Sequence, residues 1–189
     1  SQYLSAQNFT DNVINVAMPS TYRFLEKVID EIRRMYQDAG VELPAFHVGG
    51  DEVPEGIWEG SSICRTFMKK HGLTKIRDLK DYFLGQILEM LDKRNIQAVG
   101  WQDIVMNPDN TVNEHFRNSK VLNYCWNTIP EQGGDEVPYK LANAGYPIIL
   151  CNVGNFYLDM SYCYHVEEPG LRWGGYVDEY VTFDMLPFD

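Results

Sequence analysis

The 189-residue chain is acidic, with 27 Asp and Glu against 16 Lys and Arg and a formal net charge of -11. That balance excludes a nucleic-acid partner, because neutralising phosphates needs a basic face. With 44% hydrophobic residues the chain can build one globular domain with a sizeable core, and no apolar run approaches the roughly 20 residues of a membrane helix.

In chain order, the opening SQYLSAQNFTDNVINVA carries no charged-then-apolar signal segment and reads as the interior of a longer protein. A helix follows, capped at Ser20-Thr21, with Phe24, Val28, Ile32 and Met35 at steps of three or four and Gly40 as its end. Ala45 to Val48 is a short apolar strand delivered into Gly49-Gly50. Cys64 falls at a helix start. Leu79, Phe83, Ile87, Leu88 and Leu91 mark the next helix, and Gln97 to Trp101 the next strand. After a loop around Asn107 to Asn110 and a weak helix over 112–117, Val121 to Trp126 is a third strand. Val137 to Ala144 is helical with Gly145 as its cap, and Pro147 to Val153 is a fourth strand. The stretch from Glu167 to Asp189 is aromatic, rich in Gly and Pro, and mostly loop.

Strands separated by helices predict a parallel α/β sheet. Each strand delivers polar or aromatic residues at its C-terminal end, namely Asp51-Glu52, Trp101-Gln102-Asp103, Trp126-Asn127 and, just past the fourth, Tyr157-Leu158-Asp159. Active sites of (β/α)8 barrels are built at that face. A doubly wound sheet also binds at its strand ends, but no GxGxxG or GxxxxGK phosphate loop is present. The expected fold is therefore part of a TIM barrel, with residues 1–189 as a fragment of one domain, since a whole barrel takes about 250 residues.

Four cysteines lack CxxC or His-paired spacing, so no metal site is expected. Cys125 and Cys151 read as buried thiols, and Cys163 lies in a loop. A disulfide stays open.

His47-Val48-Gly49-Gly50-Asp51-Glu52 is the most informative segment. Adjacent carboxylates at a strand end suit acid chemistry, because like charge and partial burial raise one pKa and leave the other group ionised. A solvated acidic turn is the competing reading. Gly-Gly-Asp-Glu-Val-Pro recurs at 133–138, where no strand precedes it, so Asp135 and Glu136 are expected as first-turn helix residues with a structural role. Trp101, Trp126 and Tyr157 sit at or beyond three successive strand ends. Aromatic faces stack on the apolar faces of sugar rings while nearby Asp, Gln and Asn take hydroxyls; a single such Trp is more often core, but three at successive strand ends favour a sugar pocket.

His-x-Gly-Gly-Asp-Glu after a strand, then Gly-Trp-Gln-Asp, Trp-Asn-Thr and Tyr-Leu-Asp in that order, resembles glycoside hydrolase family 20, which includes bacterial chitobiases and lysosomal hexosaminidases. Asp11-Asn12-Val13-Ile14-Asn15 and its helix also resemble bacterial chitobiases. The resemblance covers most of the chain, corresponding to roughly strands four to seven of the family barrel. It implies β-N-acetylhexosaminidase activity without a cofactor, on terminal N-acetylglucosamine or N-acetylgalactosamine of amino-sugar oligosaccharides such as chitobiose. It further implies a substrate-assisted retaining mechanism, with Glu52 as acid and base and Asp51 orienting the acetamido group. Tyr157 would bind the acetamido carbonyl, Trp101 and Trp126 wall its pocket, and Asp159 bind a sugar hydroxyl. Trp173 resembles the platform for the next sugar, and His47 supports the loop. A periplasmic or secreted setting is favoured by resemblance alone.

The family's arginine from the first strand, and its tryptophan and glutamate near the eighth, have no counterpart positions here. As an isolated chain the fragment is thus expected to be weakly active or inactive, with exposed strand edges prone to self-association. Two alternatives remain: an ordinary retaining glycosidase with Asp159 as enzymic nucleophile, and a non-catalytic carbohydrate-binding segment. Trp58 and Asp103 are assigned nothing beyond packing and loop structure.

Overall fold

The computed structural model describes residue 9 and residues 13–53 and 56–187, and the chain divides into two compact units, residues 1–99 and 100–189. Asp11 and Asn12 of the opening motif, Pro54 of the first hexapeptide and the last two residues lie outside the described residues.

The first unit opens with α1 (Pro19–Asp38). Proline suits the first helical position, where its fixed φ fits and its missing N–H would have no partner. The expected cap at Ser20-Thr21 is not used. Met18 is the cap residue, and the Thr21 hydroxyl donates instead to the Asn15 carbonyl at 2.7 Å. The inward face matches expectation only at Val28 and Ile32, which are partly buried. Ile29 is buried whereas Phe24 and Met35 are 67% and 65% exposed, so the less exposed stripe runs through Tyr22, Leu25, Ile29 and Ile32. Both stripes have helical spacing, and periodicity alone does not say which one meets the core.

β1 (Ala45–His47) pairs in parallel with β2 (Gln97–Trp101), Phe46 lying opposite Ala98. The ladder runs one residue further, where the Val48 N–H donates to the Val99 carbonyl at 2.8 Å. Between the strands stand α2 (Ser62–His71) and α3 (Arg77–Asp92). α2 is a full helix where only a helix start was expected. Ser61 caps it by accepting from the Cys64 N–H, and Gly72 ends it in the left-handed conformation that glycine adopts at little cost. α3 buries Leu79, Leu84, Ile87 and Leu91, and burying one such side chain contributes about 1.5–3 kcal/mol. Val16, Ala17, Trp58, Cys64 and Leu79 form the local core. Trp58 is anchored there by its indole N–H on the Ile14 carbonyl at 3.0 Å. The Arg94 guanidinium ties α1 to the chain just after α3, reaching Asp30 at 2.6 Å and Glu26 at 3.1 Å.

In the second unit β3 (Leu122–Cys125) and β4 (Ile148–Leu150) pair in parallel, with Tyr124 opposite Ile149. β4 is shorter than the expected 147–153. The chain turns at Asn152, and Val153 starts a one-turn helix, α5 (Val153–Phe156). Val153 is fully buried there, so its apolar side chain is as well served by a helix start as by a strand. The weak helix expected over 112–117 is a 3-10 turn at Glu114–Ser119, begun by the Asn113 side chain accepting from the His115 N–H. α4 (Val137–Asn143) is followed by Gly145 at φ 86, close to the expected boundary. The C-terminal stretch is mostly loop apart from α6 (Glu179–Phe183), which Asp178 caps.

The four cysteines are free thiols. Cys125 is fully buried, but Cys151 is only half-buried, against expectation. Burial, then the neighbouring Cys151 and Asp103, pushes the Cys125 thiol up to about 12. No described helix is long and apolar enough to cross a membrane.

Candidate active site

β1 ends by handing its chain to a loop of unusual backbone. Gly49, Gly50 and Glu52 all have positive φ, at 69°, 95° and 47°. Glycine takes that region freely, while a residue with a Cβ pays about 1–2 kcal/mol for it. Glu52 is thus held in a conformation that its own side chain disfavours. The His47 side chain braces the turn, because its Nδ1 accepts the Gly49 backbone N–H at 3.1 Å. Only an unprotonated Nδ1 can accept. Desolvation lowers the His47 pKa in the same sense, against the opposing charge of Asp51. Asp51 and Glu52 are exposed, not partly buried as expected.

The second copy of the hexapeptide has a different backbone. Gly133, at φ 67, closes a 3-10 turn over Pro130–Gln132. A Cβ on Gly134 would stand 2.5 Å from the Asn127 carbonyl oxygen, so this glycine is required for space. Glu136 has φ -83, stands at the cap position of α4 and pairs with Lys140 at 2.8 Å. Asp135 and Glu136 lie just ahead of the helix instead of in its first turn. The described part of the motif, Gly-Gly-Asp-Glu-Val, therefore forms an acidic loop at 49–53 and leads into a helix at 133–137.

The second unit gathers the aromatic candidates. Trp126, at the end of β3, meets Trp173 edge-on at 6.1 Å between ring centroids, and Tyr157 meets the same Trp173 edge-on at 5.8 Å. Three residues separated by up to 47 positions thus form one cluster, and Trp173 remains 46% exposed. Its position is fixed by the next residue. Gly174 packs so closely on α5 that a Cβ would stand 2.3 Å from the Val153 side chain. Trp101, at the end of β2, packs edge-on against Tyr124 at 6.0 Å. Asp159 is exposed, and its backbone carbonyl accepts the Leu171 N–H at 2.8 Å, joining the two ends of the loop that precedes Trp173.

Residues 2–188 match the model of glycosyl hydrolase family 20, catalytic domain. The chain belongs to that family. A Vibrio furnissii β-hexosaminidase is 32% identical over 93% of this chain and 26% of its own length. A Vibrio vulnificus β-hexosaminidase is 30% identical over 99% of this chain and 22% of its own. Among solved structures, the family 20 exo-β-N-acetylglucosaminidase of Vibrio harveyi in complex with N-acetylglucosamine superposes with a TM-score of 0.80 at 29% identity, covering 98% of this chain and 26% of that one. The family 20 chain thus spans about a quarter of the length of these relatives. Its parallel strands and their helices are part of the family's (β/α)8 barrel, as expected.

Two residues of this family 20 chain do more than the sequence suggested. Gln102, buried in the 3-10 turn after β2 (Gln102–Ile104), accepts the backbone N–H groups of Trp126 and Asn127 through its side-chain oxygen at 3.0 and 3.2 Å. Asp103 accepts the Trp126 indole N–H at 2.8 Å. By sequence Asp103 carries nothing beyond packing and loop structure, and Gln102 is one polar residue among the strand ends. The usable signal was a Gln-Asp pair directly after a strand-end Trp, but no local pattern names a partner 23 residues away.

Proposed function

We propose that this chain carries catalytic residues of a β-N-acetylhexosaminidase that removes terminal β-linked N-acetylglucosamine or N-acetylgalactosamine with retention, using the substrate's own acetamido group. The observation that carries the reading is the acidic loop after β1, where a strained Glu52 follows Asp51 in a chain of family 20. Backbone strain of this kind persists where surrounding structure over-determines it, and it clusters at sites of chemistry. The aromatic cluster of Trp126, Trp173 and Tyr157 supports a sugar-binding role in the second unit. The relative of known structure was solved with N-acetylglucosamine, and residues 1–189 are read as part of a single barrel domain.

In this mechanism Glu52 gives its proton to the glycosidic oxygen as the acetamido oxygen attacks C1. The bond to the leaving sugar breaks and an oxazolinium-like species forms. Asp51 orients the acetamido N–H and offsets the positive charge that develops there. Glu52 then takes a proton from water, which attacks C1 from the face the leaving group vacated as the bond between C1 and the acetamido oxygen breaks, so the acetamido group is restored and the β configuration is kept. Trp101 and Trp126 wall the acetamido pocket, Tyr157 donates to its carbonyl, Asp159 binds a hydroxyl and Trp173 offers a platform to the next sugar. His47 keeps the acidic loop in place.

The test uses matched aryl β-glycosides, one with a 2-acetamido group and one with a 2-hydroxyl, and the full-length enzyme with Glu52 or with Glu52→Gln. Cleavage is expected for the acetamido substrate alone. Glu52→Gln should lower turnover by roughly 10²–10⁴-fold, the usual contribution of a positioned acid or base, while N-acetylglucosamine still binds by calorimetry. Cleavage of both substrates would point to an enzymic nucleophile such as Asp159. Normal turnover by Glu52→Gln would overturn the assignment of the acid.

A further inference from the structure

Trp126 is held at two points, and Asn127 at a third, by one short segment. Gln102 and Asp103 occupy the 3-10 turn directly after β2, and Ile104 and Val105, both buried, fix that turn in the second unit's core. From it, Gln102 accepts the main-chain N–H of Trp126 and of the next residue. These two bonds set where the Trp126 backbone lies. They leave the side chain free to turn about its two dihedral angles. The remaining freedom is removed by Asp103, whose carboxylate oxygen accepts the indole N–H at 2.8 Å, within the range of a charge-assisted bond. Trp173 packs edge-on against the same ring at 6.1 Å.

We infer that Asp103 is a positioning residue that sets the plane of the Trp126 ring and thereby the size of N-acyl group the site accepts. The inference rests on the reading of Trp126 as a wall of the acetamido pocket. A Trp wall selects by excluding what does not fit beside it, and a ring free to swing excludes less. The carboxylate is suited to the task because it is an acceptor only, so it cannot compete for the indole in any other sense. Gln102 is suited to the backbone half, because a neutral amide can sit in a buried place where a carboxylate would be costly.

The experiment uses the full-length enzyme and three aryl β-glycosides of glucosamine carrying N-acetyl, N-propionyl or N-butyryl groups. In Asp103→Leu the kcat/KM preference for acetyl over butyryl should fall about tenfold, the scale of one lost hydrogen bond to a charged group. Asp103→Asn, which keeps an oxygen acceptor, should retain most of the preference. Trp126→Phe removes the donor without touching Asp103 and should reproduce the loss. In that background Asp103→Leu should add nothing, which is the coupling expected of two groups joined by one bond.

Equal loss on all three substrates, or full additivity in the Trp126→Phe background, would overturn the inference by showing a structural effect only. If Trp126→Ala relaxes acyl selectivity and Asp103→Leu does not, the positioning role falls while the proposed function stands. If Trp126→Ala leaves selectivity unchanged, the wall assignment fails, and the role of Asp103 fails with it. Should Asp103→Leu not fold, the Asp103→Asn and Trp126→Phe pair still decides.

Discussion

A neutral imidazole at position 47 is what the Gly49 N–H needs, because protonating Nδ1 would turn the acceptor into a second donor. An unfolded histidine titrates near 6.5, and in the folded chain desolvation holds His47 below its ordinary value despite the nearby Asp51. Where the folded pKa is the lower one, the unfolded chain binds the proton first. The stability of this turn is therefore present above about pH 6.5 and is lost as pH falls below it. Amide exchange at Gly49, corrected for its intrinsic rate, should accelerate between about pH 7.5 and about 5.5, and His47→Ala should remove that dependence. A protection factor unaffected by pH in the parent would sink the bracing role. At this scale the sequence made Asp51, Glu52 and the strand-end aromatics visible because each lies in a local motif. It hid the work of Gln102 and Asp103, since a Gln-Asp pair fits a solvated turn equally well and only the fold brings residue 126 to it.

Elements bounded by strong local chemistry were the legible ones. β2 and α3 fall close to their expected ranges, the first as a buried apolar run and the second with its Leu and Ile stripe. α2 was legible only as a helix start because its apolar stripe is short, Cys64, Phe67 and Met68, beside an exposed Ile63 and three basic residues in its last turn; the cap at Ser61 and the stop at Gly72 were the better signals. Two glycines give this scale its prediction. Gly85 lies within α3 with open space around its missing Cβ. Gly85→Ala should raise stability by about 0.5–1 kcal/mol, since alanine loses less backbone freedom in a helix. Gly134→Ala should lower it by about 1–3 kcal/mol, because the methyl meets the Asn127 backbone. Thermal unfolding of the two variants checks both signs, and a shift in the same direction for both would contradict the packing described here.

At the scale of the molecule, the chain covers about a quarter of its relatives and carries large apolar side chains on its surface. Phe24 and Met35 stand out from α1, and Phe183 in α6 is 88% exposed. Uncovered apolar side chains favour association, and we expect this chain by itself to self-associate. Sedimentation velocity over a dilution series should show mass falling with concentration, and Phe24→Glu with Met35→Glu should shift the balance towards monomer. A monomer at every concentration would contradict that expectation. The barrel class was legible here because order along the chain, strand then acid, strand then aromatic, survives in a fragment. The inward face of α1 was not, because two apolar stripes share one helix.

The twin hexapeptides bear on transplantation. Gly-Gly-Asp-Glu-Val builds an acid-bearing loop where a paired strand feeds it and an imidazole braces it; after a 3-10 turn the same residues lead into a helix. A designer moving this loop to another barrel would therefore need to carry β1, its ladder partner and His47 as one cassette, because the six residues alone do not encode the shape.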